Sequence, residues 1–198
     1  MAILQIRLIG DPVLRTVAEP VTEFGPELAK LIADMMETMD DVDGAGLAAP
    51  QIGVGKRIFT YRIGDQSGHV INPVIENGEE DQQPGAEGCL SVPGLGFVTA
   101  RKQFSRVRGV DLNGEPLTIE AEGMLARCLQ HETDHLDGKL YVDRLSGEDR
   151  KSALRAIRDE NYDQIAARTT AKRAQTVGSS FSSGANSFST AANARSRA

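Results

Sequence analysis

Apolar positions between residues 26 and 40 recur at helical spacing: Leu28, Leu31, Ile32, Met35 and Met39 fall on one face. Pro26 suits the first turn of such a helix, where a missing N–H leaves nothing unpaired. The period then changes. Residues 57–63, 69–76, 105–112 and 116–121 are short apolar-rich runs bounded by turn residues, which predicts strands. Asn113-Gly114 between the last two predicts a hairpin turn. Helical spacing returns over 122–137, with Met124, Leu125, Cys128, Leu129 and Leu136 as the apolar stripe. Gly138 stands where a left-handed residue ends a helix. A last helix is expected over 147–167. The fold class is therefore α+β: small antiparallel β-sheets packed around a central helix, with an N-terminal helix and a C-terminal helix.

Composition supports one folded domain over residues 1–168. The chain has 198 residues, 40% hydrophobic and 25% charged, enough for a single sizeable core. From about Thr169 the chain turns to Ser, Ala, Asn, Gly and Thr, which predicts a disordered tail over 169–198. No acid follows Asp163, whereas Arg168, Lys172, Arg173, Arg195 and Arg197 give +5, leaving −11 for the rest of a chain of net charge −6. A solvated extension is the simpler account of this tail, and an RNA contact the alternative. No apolar run approaches the ~20 residues of a membrane span, and neither a secretory nor a transit segment is evident. Two cysteines in separate segments argue for a reducing compartment rather than a disulfide. A cytoplasmic address follows, with neither DNA nor membrane as partner.

Chemistry concentrates at His131-Glu132-Thr133-Asp134-His135, which uses two of the three histidines in the chain. Residues i and i+4 share a helix face, so the two imidazoles can grip one metal ion, with Glu132 beside them to handle protons. The third ligand has several candidates: Glu148, Glu160, Cys89 and Cys128. Cys128 lies about 7.5 Å along the helix axis from the level of such a metal, too far for a short thiol side chain. It is better read as a small buried hydrophobe. Cys89 follows a glycine in Glu87-Gly88-Cys89-Leu90-Ser91, a setting that admits close approach but also suits a structural cysteine in a strand. Gly44-Ala45-Gly46-Leu47-Ala48-Ala49-Pro50-Gln51 suits a backbone running close to a substrate, or an ordinary tight loop.

Taken together and in this order, the three segments resemble the peptide deformylase family. The resemblance covers roughly residues 3–160, with weaker matches at Asp11-Pro12-Val13-Leu14-Arg15 and Ile71-Asn72-Pro73. It implies a metal-dependent hydrolase that removes the N-formyl group from the formyl-methionine of new polypeptides and releases formate. Cys89, His131 and His135 would be the metal ligands, Glu132 the proton carrier, and Gln51 (side-chain amide) and Leu90 (backbone N–H) the oxyanion donors. The cofactor implied is one divalent ion, Fe²⁺ first, with Ni²⁺, Co²⁺ or Zn²⁺ also able to occupy purified protein. The partners implied are formyl-methionyl nascent peptides and, through them, the ribosome; a monomer is expected. Substrate would bind extended along Gly44, Ala45, Gly46 and Gly88, with Met124 and Cys128 near the methionine side chain, although Met124 fits a core position more readily. Gly96 departs from several members that carry an arginine there, which leaves the distal part of the peptide without that contact.

Overall fold

The computed structural model describes residues 2–81 and 85–179. Helix α1 (Pro26–Asp41) precedes strands β1 (Gly46–Ala48), β2 (Ile58–Ile63) and β3 (Gln66–Asn77). A hairpin, β4 (Gly85–Cys89) and β5 (Val92–Thr99), comes next, then β6 (Phe104–Val110) and β7 (Pro116–Glu122). Helices α2 (Gly123–Leu136), α3 (Gly147–Arg158) and α4 (Glu160–Ser179) complete the order. Five strands form one antiparallel sheet in the order β1-β2-β3-β6-β7, and β4 and β5 form a sheet of their own.

The large sheet is covered on both faces. Along β2 and β3, Phe59, Tyr61 and Val70 join Leu125, Ala126 and Leu129 of α2 in one core. The alternate positions Ile58 and Ile71 join Leu28, Ile32, Met35 and Met39 of α1 in another. Successive strand residues point to opposite faces, so two covered faces make the strand apolar throughout rather than alternating. A third cluster packs Val92 of the hairpin on Leu140, Tyr141, Val142 and Ala153. Helix α2 thus lies between the sheet and the hairpin, which is the central position expected of it. It ends as the sequence suggests: Gly138 has φ +70°, and a Cβ there would lie 2.8 Å from the carbonyl oxygen of Arg15.

The predicted α1, α2 and four strands are present with ends shifted by a few residues. The C-terminal region differs. The single helix expected over 147–167 is two helices, because Asp159 is extended (φ −69°, ψ 135°) and redirects the chain so that Tyr162 and Ala166 are buried. Helix α4 then continues to Ser179, so residues 169–179 are helical instead of part of a disordered tail. A helix anchored at one end propagates at little cost through residues of ordinary propensity. The rest of the predicted tail lies outside the described residues. No helix among those described is long and apolar enough to cross a membrane.

Candidate metal centre

Helix α2 carries His131 and His135 one turn apart on the side facing the hairpin, and the end of β4 brings Cys89 to them. Cys89 Sγ lies 3.3 Å from His135 Nε2, and the two Nε2 atoms are 3.2 Å apart. Three donors with bonds of about 2.0–2.3 Å to one ion would have such separations, about 3.3–3.6 Å for a tetrahedral arrangement. Their ligand atoms all fall within 4.8 Å of one another. Cys128 does not join this group; its Sγ donates to the Ala45 carbonyl at 3.3 Å. Glu148 is exposed on α3 and pairs with Lys151.

The electrostatics favour a cation at this point. Burial disfavours a charge on either imidazole. His131 is nonetheless pushed well above the usual histidine value by Cys89 and Glu87. His135 is driven down by burial and by the charge of its neighbour. Two imidazoles in contact cannot both be protonated, so the pair holds at most one imidazolium, a charge that a bound cation would replace.

A network that the sequence did not disclose orients these ligands. Glu87 Oε2 faces His131 Nδ1 at 3.1 Å, which turns Nε2 of that ring toward Cys89 and His135. The same carboxylate accepts from Arg101 Nε at 2.8 Å, Arg101 Nη2 at 2.9 Å and Arg127 Nη1 at 2.8 Å. Burial alone would raise the pKa of Glu87, but bonds from Arg101 and His131 take it down to about 2. Arg101 Nη1 also donates to Asp134 Oδ2 at 2.6 Å, and Arg144 Nε reaches the same oxygen at 2.6 Å. Glu87 and Asp134 both stand inside the quoted motifs. Arg101, far from either in sequence, has no local pattern to mark it.

The centre opens into a cleft of about 440 Å³. Gly44, Ala45, Gly46 and Gly88 line it, as do Gln51, Leu90 and Glu132. Met124 and Cys128 line it too, and Met124 is 62% exposed on the cleft wall, which excludes the core position that suited its spacing. His135 is buried behind the other ligands. Gln51 is oriented by its own loop: its Oε1 accepts from Ala48 N at 2.8 Å. Its Nε2 therefore points at Ser91 Oγ (3.3 Å) and Cys89 Sγ (3.7 Å). Leu90 sits at the hairpin turn with its side chain against Gly44. Glu132 is buried with Oε2 unpartnered among the described groups. Burial raises its pKa to about 7, against the opposing charges of His131 and Arg101. Gly46 packs on that carboxylate so closely that a Cβ would come within 2.7 Å of its Cδ.

Residues 3–151 match the family model described as polypeptide deformylase. The chain belongs to the peptide deformylase family. A peptide deformylase of Acidothermus cellulolyticus is 54% identical over 162 residues, covering 82% of this chain and 89% of that protein. Peptide deformylase 1 of Corynebacterium glutamicum is 49% identical, covering 80% and 96%. Among solved structures, a peptide deformylase from Legionella pneumophila superposes with a TM-score of 0.77 at 41% identity, covering 84% of this chain and 99% of that one. One from Synechococcus elongatus, in complex with actinonin, gives 0.74 at 39%, covering 82% and 86%. Peptide deformylases are metallo-hydrolases that remove the formyl group from nascent polypeptides, and that is the activity of this chain. The Cys-His-His site is the one that suits such an ion.

Proposed function

We propose that Cys89, His131 and His135 hold Fe²⁺ and that Glu132, Gln51 and Leu90 act on the formyl group beside it. The observation that carries this reading is the convergence of five of the six on the wall of a single cleft, with His135 buried directly behind Cys89 and His131. A divalent ion so held supplies Lewis acidity and makes hydroxide available near neutral pH. A thiolate with two imidazoles suits iron, nickel, cobalt or zinc, and iron is taken from the family resemblance.

Glu132, unpartnered at Oε2 and facing the cleft, takes the proton of the attacking water and returns it to the amine nitrogen as the C–N bond breaks. Formate and a free methionine amine result. Gln51 Nε2 and the Leu90 N–H donate to the oxygen that becomes negative during attack. Gly44, Ala45, Gly46 and Gly88 leave the main chain accessible for an extended peptide, and β1 is an edge strand to which such a peptide can add. Met124 and Cys128 supply an apolar wall for the methionine side chain. Two free thiols, one of them a metal ligand, fit a reducing cytoplasm, with monomeric protein meeting chains as they leave the ribosome.

The test is anaerobic formate release from a formyl-methionyl tripeptide by Fe²⁺-loaded protein. Release is expected, is lost on chelation and returns with Fe²⁺; folded, metal-containing protein that releases none would overturn the reading. In the same assay Gln51→Ala is expected to cost about 10²-fold in rate, the usual effect of removing one oxyanion donor. Unchanged turnover in that variant would remove Gln51 from the reaction.

A further inference from the structure

Helix α4 lies beyond the residues that match the family model. One of its faces packs on the catalytic body: Tyr162 and Ala166 are buried, and Ile165 rests against Gly94 of β5. Residues 162, 166, 169 and 173 fall on one side of a helix. That side carries Thr169 and Arg173 to the wall of the cleft. There Arg173 Nη1 donates to the main-chain oxygen of Leu90 at 3.0 Å. A hydrogen bond from a partly buried guanidinium is charge-assisted and stronger than one between neutral groups.

The peptide it grips matters. Leu90 C=O and Ser91 N–H belong to one rigid plane. From the opposite edge of that plane, Ser91 N donates to Cys89 Sγ at 3.4 Å. Holding the oxygen fixes the direction of this N–H, and a cation on the oxygen polarises the amide so that it donates more strongly to the sulfur. The neighbouring peptide, which carries Leu90 N–H, turns with it. Ser91 has other anchors, since its carbonyl accepts from Ile9 N at 2.8 Å and its Oγ from Gln51, but neither touches the Leu90 oxygen.

We propose that Arg173 is a positioning residue of the metal centre, holding the Leu90–Ser91 peptide so that Ser91 N–H is aimed at the Cys89 sulfur and Leu90 N–H at the formyl oxygen. The inference rests on the roles proposed above for Cys89 and Leu90. Arg173 acts through this peptide, so its loss weakens the metal site and the chemical step while leaving peptide affinity in place.

The experiment compares full-length wild type, Arg173→Ala and Arg173→Lys, each loaded with Co²⁺. The readouts are the thiolate-to-cobalt charge-transfer band, the loss of Co²⁺ to a competing chelator, and kcat and KM for a formyl-methionyl tripeptide. Arg173→Ala is expected to shift the band and to weaken cobalt retention and lower kcat by about tenfold each, the lower end of the range for a group that supports a metal ligand from outside. KM should stay within about twofold, and Arg173→Lys should recover part of each loss, since a lysine keeps the cation. A raised KM with band and kcat unchanged would overturn the proposal and make Arg173 a peptide contact. No change in any readout would overturn it as well. Should Arg173→Ala fail to fold, Arg173→Gln keeps the length without the charge and is judged by the same readouts. Wild type that holds cobalt but releases no formate would sink the catalytic roles proposed above, and the band and chelator measurements would still decide Arg173.

Discussion

Glu132→Gln is expected to lower formate release by about 10²–10⁴-fold, the range that a positioned proton carrier contributes, with no loss of bound metal. The amide has nearly the shape of the carboxylate and fits the same slot beneath Gly46. It is not one of the three metal-ligand donors. What it lacks is the ability to accept a proton and give it back. Burial already holds this group near a pKa of about 7, where a carboxylate exchanges protons readily at neutral pH. The two measurements are steady-state formate release and metal content of the same preparation. Retained turnover would remove Glu132 from proton transfer. Turnover lost together with the metal would show that Glu132 builds the site rather than working in it.

Arg101→Ala is expected to cost about 3–5 kcal/mol of stability, the range for removing one partner of a buried ion pair. For a chain of this size that is a Tm drop of roughly 10 °C. The Arg101 side chain is 1% exposed and bridges Glu87, at 5%, to Asp134, at 6%. Without it, two buried carboxylates lose bonds that water cannot replace. Arg127 still reaches Glu87 and Arg144 still reaches Asp134, which keeps the loss from being larger. Arg106→Ala provides the contrast, since Arg106 pairs with Glu76 and Glu120 on the exposed sheet surface, and its removal should hardly move Tm. Thermal unfolding of both variants beside the wild type decides the matter. Equal Tm values for the three would show that the buried network contributes nothing to stability.

How much of this was legible depended on whether the information was local. His131 and His135 share one helix, and the period of that helix places both on one face. The four longer strands and the hairpin at Asn113-Gly114 are marked by apolar runs and turn chemistry. β1 was hidden because three residues of Gly46-Leu47-Ala48 carry no period. β4 and β5 were hidden because Gly85, Gly88, Gly94 and Gly96 thin out the side chains that announce a strand. Cys89 was therefore drawn to the site by its motif, not by its element. Glu87, Arg101 and Asp134 meet only in three dimensions, across 47 positions of chain from Glu87 to Asp134. The reach of α4 is hidden for a similar reason: composition after Thr169 looks structureless, and the bond from Arg173 to Leu90 cannot be read along the chain.

The β4–β5 hairpin forms its own two-stranded sheet, separate from the five-stranded one. A lone hairpin is marginally stable in water, so this one depends on its docking partners: the ion pairs of Glu87 with Arg101 and with Arg127 of α2, the apolar contacts of Val92, and the grip of α4. Such a piece is expected to open as a unit at lower free energy than the sheet behind it. When it opens, Cys89 leaves the histidines and the cleft loses one wall in the same movement. Warming or mild denaturant should then silence the enzyme while most of its backbone amides are still protected from exchange with solvent.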